Sequence, residues 1–537
     1  MSTAVQFKDE GNKLYVARDY AAAYIRYSKA IELDGAVAMF WANRAACLLA
    51  MKRYNDAASD CKEAVKIDAN YTKAWMRLGS ALSNTGAYAE SIDAYKKAQT
   101  TLPKENLTQE QKNLTRQCDL ELRAVHERKA KPVDVVYAKH AETQEAPWIR
   151  ATKAIEKCDR ENPSMDVVRS SIWVISEAYR EFKEGVDMVL VVRVEKNAQG
   201  KTNRVVGMNG GLTGISNGIL RDARAFHISH RDFLEKYNTQ VYMEAQRDNA
   251  WEEAGVQKGI EHFLKLKEKG GWDAVQPSVA TTIRAWVMRG FMELGLRNNI
   301  DAAMEFYNSA VEVLEWGRQV WRDEPKENRG VVFENSFVRG VKHLRLEAVM
   351  KATLANPKKY PLDDMYEAAQ EIIKDVKSDP KAPDGMDPGF ISSFWIYPLA
   401  QAYSVVAIYY RQLAKLHRNE PELFAKYMEQ SAEMYLQAAT EYPPDDEFHT
   451  SYLLRALEIN YFRRASVGTV LPIFRLLHMS TAVMMPIWEF SATMLHANRA
   501  FESQLVKMLM RGDALLTDLE KGKVKEEDKV SWDEVFR

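Results

Sequence analysis

Five residues near the start of the chain carry the most readable chemistry: Lys8, Asn12, Asn43, Lys73 and Arg77. Lys8 and Asn12 are four apart, as are Lys73 and Arg77, so each pair projects from one face of a helix. Three of the five are cations and two are amides. All donate hydrogen bonds, and none brings a carboxylate. Such a set suits a peptide that ends in a carboxylate and carries an acidic side chain beside it, because charge-assisted hydrogen bonds fix both groups. Each bond is worth about 1.5–3 kcal/mol. A few of them, with side-chain pockets, reach roughly micromolar affinity, about −8 kcal/mol.

The elements that must hold these residues follow from an internal repeat. Shifted by 34 residues, the N-terminal sequence matches itself. Phe7, Trp41 and Trp75 align, then Gly11, Ala45 and Gly79, then Ala23, Ala57 and Ser91. Tyr27, Cys61 and Tyr95 follow, then Ala30, Ala64 and Ala98, and Gly35, Ala69 and Pro103 close the units. Small residues mark close helix approaches and large ones fill the gaps. Each unit reads as two antiparallel helices, with turns at Arg18–Tyr20, Lys52–Tyr54 and Gly86–Tyr88. A polar-faced helix over 107–129 caps the last unit. The first helix of each unit lines the concave face, and the five donors lie on those helices. Asn43 and Arg77 are one repeat apart and point the same way.

This is the tetratricopeptide (TPR) pattern. The segments KDEGNK (8–13), ANRAAC (42–47) and KAWMRLG (73–79) resemble the carboxylate-clamp TPR domains of chaperone adaptors, the Hsp-organising protein among them. The resemblance covers about the first quarter of the chain, and all five clamp positions match in residue type. It implies a co-chaperone that binds the Glu-Glu-Val-Asp tail of the seventy- and ninety-kilodalton heat-shock chaperones. It also implies that Lys8, Lys73 and Arg77 grip the terminal carboxylate region while Asn12 and Asn43 set orientation.

The 537 residues give a prior of about three to four domains. A net charge of −1 argues against broad nucleic-acid binding, which needs a basic surface or stripe. The four cysteines form no CxxC pair, so zinc spacing is absent and a reducing compartment is expected. The first residues lack an apolar core of signal-peptide length. The most membrane-like stretch, 465–496, is interrupted by Arg475, His478 and Glu489 and reads as a buried helix pair with no membrane span. The expected location is the cytoplasm, with no cofactor and no metal.

The fold class expected is all-α: a TPR domain with its capping helix (1–130), a linker and mixed region with a β-hairpin (131–275), a TPR-like α-solenoid (276–518) and a charged tail (519–537). In the middle region, 131–148 reads as a linker, 165–183 as a helix and 186–208 as the hairpin. The glycine-rich stretch 207–218 has neither a GK[ST] nor Rossmann spacing, so it reads as a flexible connection rather than a phosphate cradle. His227 and His230 lie three apart, but no motif positions a third metal ligand. In the C-terminal half, Trp286, Gly290, Ala302 and Phe306 repeat the spacing of Phe7, Gly11, Ala23 and Tyr27. Weaker matches occur at Ala368, Ile372 and Pro380 and at Ser431, Tyr435, Ala438 and Pro443.

The leading functional reading is an adaptor that joins a chaperone tail to a second protein or client held by the C-terminal solenoid. Two alternatives stand beside it: an enzyme recruited to chaperones, with its site in the central or C-terminal region, and a scaffold for other partners, such as another acidic C-terminus.

Overall fold

Gly11 and Gly79 explain how tightly the repeats close. The computed structural model describes residues 3–103, 105–130, 145–157, 169–196, 202–251, 255–379, 382, 385–489, 491 and 498–531. In the first repeat, α1 (Ala4–Val16) lies on α2 (Tyr20–Leu33). A Cβ at Gly11 would meet Tyr27 Cε1 at 2.8 Å, and one at Gly79 would meet Tyr95 Cε2 at 2.7 Å. The second repeat, α3 (Ala38–Ala50) and α4 (Tyr54–Ile67), makes the same crossing with the smaller pair Ala45 and Cys61, both fully buried. The third is α5 (Thr72–Asn84) with α6 (Tyr88–Thr100). Its Ser91 hydroxyl donates to the Gly79 carbonyl at 2.6 Å.

The turns repeat as well. Arg18 (φ 64°), Lys52 (φ 62°) and Gly86 (φ 78°) occupy one left-handed position at 34-residue intervals. Trp41 Nε1 donates to Gly35 O at 2.9 Å and Trp75 Nε1 to Ala69 O at 2.8 Å. The capping helix α7 (Gln109–Ala130) buries Cys118 and Val125 on Tyr95 and Ala98. The chain is all-α apart from one two-stranded sheet among the described residues.

The chain forms two compact units, each built from two stretches of sequence. The first joins Met1–Val135 to Tyr242–Phe333. Here a fourth hairpin, helices Val256–Gly295 and Ile300–Val320, packs on the TPR repeats. Its close approach differs from the sequence expectation by one residue. Tyr307, fully buried, lies over Gly290, where an added Cβ would meet its Cε1 at 3.1 Å, while Phe306 is half-buried. The cause is the turn: four residues separate these helices, Leu296–Asn299, against three between α1 and α2.

This hairpin supplies side chains that the TPR helices lack. The N-cap position of α4 has no side-chain cap of its own. Glu305 fills the gap, accepting from Asn55 N at 2.8 Å, a favourable place for a carboxylate. Around it, Arg53 pairs with Glu312 at 3.2 Å and Lys258 with Glu63 at 3.0 Å. Burial pushes the Glu305 carboxyl up to about 8 against the opposing backbone hydrogen bonds.

The second unit joins Val136–Val241 to Glu334–Arg537. Two expectations are corrected here. The first part of the run after Gly185, Val186–Leu190, is helical: it ends helix Ser171–Leu190, with Val186 and Val189 buried. The hairpin is consequently shorter, β1 (Arg193–Lys196) paired antiparallel with β2 (Thr202–Val206), and its turn at 197–201 lies outside the described residues. The glycine-rich stretch is also mostly helical, as helix Gly211–Arg221. Its glycines let two helices touch backbone to backbone. A Cβ at Gly214 would lie 2.8 Å from Gly185 Cα, and one at Gly218 2.7 Å from Ala178 O. Packing, which a pattern of β-branched residues does not reveal, decides both segments.

Downstream, helices Asn335–Ala355 and Leu362–Ser378 form a hairpin that buries Ala368 and Ile372, whereas Pro380 lies outside the described residues. Helices Pro388–Leu416 and Pro421–Glu441 form the next. There Ser431 donates to Ala407 O at 2.8 Å, the same device as Ser91 and Gly79. Helices Glu447–Phe462, Val467–Trp488 and Asn498–Glu520 follow. Of the stretch expected to be a buried helix pair, the described part is one helix from Val467 to Trp488, and residues 490 and 492–496 lie outside the described residues. Arg475 and His478 face solvent and do not break it. This helix and Pro388–Leu416 are long and apolar enough to cross a membrane; their most apolar windows are 44% and 72% buried in the protein. Part of the charged tail is tied down: Val467 N donates to Asp528 O at 2.8 Å and Val530 N to Ala465 O at 2.9 Å. Trp532, Val535 and Phe536 lie outside the described residues.

Candidate peptide-binding site

The five donors sit on α1, α3 and α5, the first helices of the three repeats. A side-chain contact joins two of them, Asn12 and Asn43, and a backbone carbonyl holds a third, Arg77. Tyr27 donates its hydroxyl to Asn12 Oδ1 at 2.7 Å, and Asn43 Nδ2 reaches the same oxygen at 3.4 Å. With its oxygen taken from both sides, the Asn12 amide has its NH2 group as the donor for a ligand. Arg77 Nη1 donates to Ala42 O at 2.6 Å, which fixes the guanidinium beside Asn43 and leaves the rest of its fork for a ligand.

The two lysines occupy a different setting. Lys8 Nζ lies 2.7 Å from Asp9 Oδ1 and Lys73 Nζ lies 2.9 Å from Glu110 Oε1, on α7. Asp9 and Glu110 are 56% and 69% exposed, so each pairing is weakly held and open to exchange for another carboxylate.

Arg77 also reaches the interior electrostatically. Burial pushes the Cys47 thiol up to about 12, with the Arg77 charge pulling the other way, and it lifts the Tyr27 phenol to about 12. Tyr27 is thus a neutral donor at all ordinary pH. Sequence reading gave Tyr27 a packing role only; its hydroxyl, which orients Asn12, was missed. Glu110 was missed too, since its place beside Lys73 depends on how α7 crosses α5. Arg44 completes the support, bidentate to Asp60 at 2.7 and 2.8 Å and stacked 5.0 Å from the Trp41 ring centre.

The two histidines singled out from the sequence lie in separate settings. His227 stacks on Trp148 with ring centres 5.0 Å apart, and its Nδ1 lies 3.0 Å from Ala225 O. His230 is exposed, with Nδ1 2.9 Å from Ser229 Oγ. Asp222 faces Arg224 at 2.7 Å and Asp232 faces Lys236 at 3.1 Å.

Arg224 centres a second polar cluster. It pairs with Asp222, with Asp446 at 2.9 Å and with Glu447 at 3.2 Å, and it lies 4.0 Å from the Trp488 ring centre. Tyr397 donates to Asp446 at 2.6 Å. Asp446 and Glu447 are buried, so the cluster ties distant parts of the chain together inside the protein. Removing one partner from such a cluster typically costs about 3–5 kcal/mol.

The repeated hairpins, the shared turn geometry and the cap define the N-terminal part as a tetratricopeptide-repeat domain. No family model matches the chain. Over 97 residues, 18% of the chain, it is 43% identical to small glutamine-rich tetratricopeptide repeat-containing protein 2 of Mycosarcoma maydis, covering 28% of that protein. Over 97 residues, again 18% of the chain, it is 37% identical to heat shock protein STI1 of Saccharomyces cerevisiae, covering 16% of it. Over 120 residues, 22% of the chain, it is 32% identical to DnaJ homolog subfamily C member 7 of Homo sapiens, covering 24%. The chain thus spans less than a third of each relative's length. A solved structure, the first TPR of Spaghetti (RPAP3) bound to an HSP90 peptide, is 26% identical over 24% of this chain and 94% of its own, with a TM-score of 0.22.

Proposed function

We propose that this chain is a co-chaperone adaptor of the cytoplasm. In this reading Lys8, Asn12, Asn43, Lys73 and Arg77 form a carboxylate clamp for the acidic C-terminal tail of a heat-shock chaperone, and the helices outside the TPR repeats hold a second protein or client. The clamp works without catalysis. Binding two partners to one chain raises the effective concentration of each near the other.

The observation that carries the reading is the Tyr27–Asn12–Asn43 chain of hydrogen bonds beside Arg77. With the Arg77–Ala42 bond, it sets one amide on α1 and one guanidinium on α5 as fixed donors, so little side-chain entropy is lost when a carboxylate arrives. Lys8 and Lys73, already paired with exposed carboxylates, trade those partners for the ligand's. Likeness in the N-terminal part to a heat shock protein and to a DnaJ homolog supports the same direction.

The test is titration calorimetry of the full chain with a peptide ending in Glu-Glu-Val-Asp. Binding should weaken at least tenfold when the peptide's C-terminus is amidated and when Arg77 is changed to Ala. A folded chain that ignores the free-acid peptide contradicts the reading.

A further inference from the structure

Lys267 lies in a corner made of tryptophan. Its Nζ is 4.1 Å from the ring centre of Trp272 and 5.7 Å from that of Trp321. The two indoles meet edge to face, 5.2 Å apart with an 80° angle between planes, and form two walls. Glu324 makes the third side. Its Oε1 lies 3.3 Å from Lys267 Nζ, and its Oε2 accepts from Trp272 Nε1 at 3.2 Å. The walls do not depend on the lysine for their position. Trp321 is buried and braced by Trp316 at 4.8 Å and Phe333 at 5.5 Å, and Trp272 is held by Glu324. The Lys267 side chain is 30% exposed, so the corner opens to solvent.

The occupant reaches this corner across a break. Helix Val256–Gly295 leaves helical geometry at Gly271 (φ 64°, ψ −153°), between Lys267 and Trp272. A Cβ at Gly271 would meet nothing within 4 Å. Glycine adopts this left-handed conformation without strain, so the break in the helix separates the backbone that carries Lys267 from the one that carries Trp272.

Two indole faces and a carboxylate attract any ammonium group. Methylation favours such a corner, because it removes hydration from the cation and adds surface that touches the rings. We propose that Trp272, Trp321 and Glu324 form a binding site for a methylated or quaternary ammonium group, in which Lys267 is the built-in occupant. Trimethyllysine side chains and choline headgroups share this chemistry. A tethered lysine competes at an effective concentration of order millimolar, so the site of the wild-type chain takes an outside ligand only weakly until Lys267 leaves.

The experiment titrates the full chain and its Lys267→Ala variant with tetramethylammonium chloride, following tryptophan fluorescence against potassium chloride at equal ionic strength. Lys267→Ala should show saturable binding at least tenfold tighter than the wild type, lost again in Lys267→Ala/Trp272→Ala. A trimethyllysine peptide and phosphocholine, titrated in parallel, then distinguish the two sources. A Lys267→Ala chain with native circular dichroism and no response beyond that to potassium overturns the proposal, as does a response that survives Trp272→Ala. If Lys267→Ala does not fold, the indole N–H resonance of Trp272 in the wild-type chain decides. It should shift with tetramethylammonium at concentrations well above the millimolar competition of Lys267 and not with potassium at the same concentration, and a resonance unmoved there overturns the proposal.

Discussion

Tyr27 holds the Asn12 amide by its oxygen, and this contact separates a positioning role from a packing role. Tyr27→Phe keeps the ring over Gly11 and removes only the hydroxyl. The chain should fold as before, with affinity for a Glu-Glu-Val-Asp peptide reduced by about 0.5–1.5 kcal/mol, the worth of one neutral hydrogen bond. Calorimetry on a variant with unchanged thermal unfolding checks this. Glu110→Gln should act in the other direction. It frees Lys73 from its exposed partner, so peptide affinity should rise by about 0.2–1 kcal/mol, and the rise should shrink in high salt. The five donors were legible in the sequence because their spacing follows from helix geometry. Tyr27 and Glu110 were not, since one acts through its hydroxyl and the other through the crossing of two helices.

The helices of the three repeats were equally legible, because a 34-residue period fixes their faces, turns and contacts together. Gly185 to Gly218 was harder to read. β-branched residues favour strands only when their surroundings do not decide otherwise, and here Gly185, Gly214 and Gly218 bring two helix backbones together. Gly218→Ala tests that account. Its Cβ would lie 2.7 Å from both Ala178 O and Phe182 Cβ, and neither neighbour is the far end of a flexible side chain. The expected cost is about 1–3 kcal/mol of stability, measured by denaturant unfolding. A neutral outcome would show that the two helices separate at little cost. The fourth hairpin teaches a related lesson: Gly290 was read correctly, yet one extra turn residue moves its partner from Phe306 to Tyr307.

The grouping of Tyr242–Phe333 with the TPR repeats has no signature in local pattern, since it depends on pairs such as Asn55 and Glu305 that are 250 positions apart. Those pairs make stability depend on pH. Glu305 has an ordinary value of 4.5 and is pushed to about 8 by burial. Between these values the folded chain keeps a proton that the unfolded chain releases, so stability should fall as pH rises from about 4.5 to about 8. Glu305→Gln removes that proton linkage. Its unfolding free energy should vary less with pH across this window than that of the wild type, as read from urea midpoints at several pH values.

The central claim, a carboxylate clamp on α1, α3 and α5, is tested most directly by calorimetry of the intact chain. The free-acid peptide should bind at roughly micromolar Kd. The amidated peptide, and the Arg77→Ala chain with the free acid, should each lose at least 1.5 kcal/mol, about a tenfold weakening. Equal affinity for the acid and the amide would contradict the account, because the terminal carboxylate would then not be the group that these side chains hold.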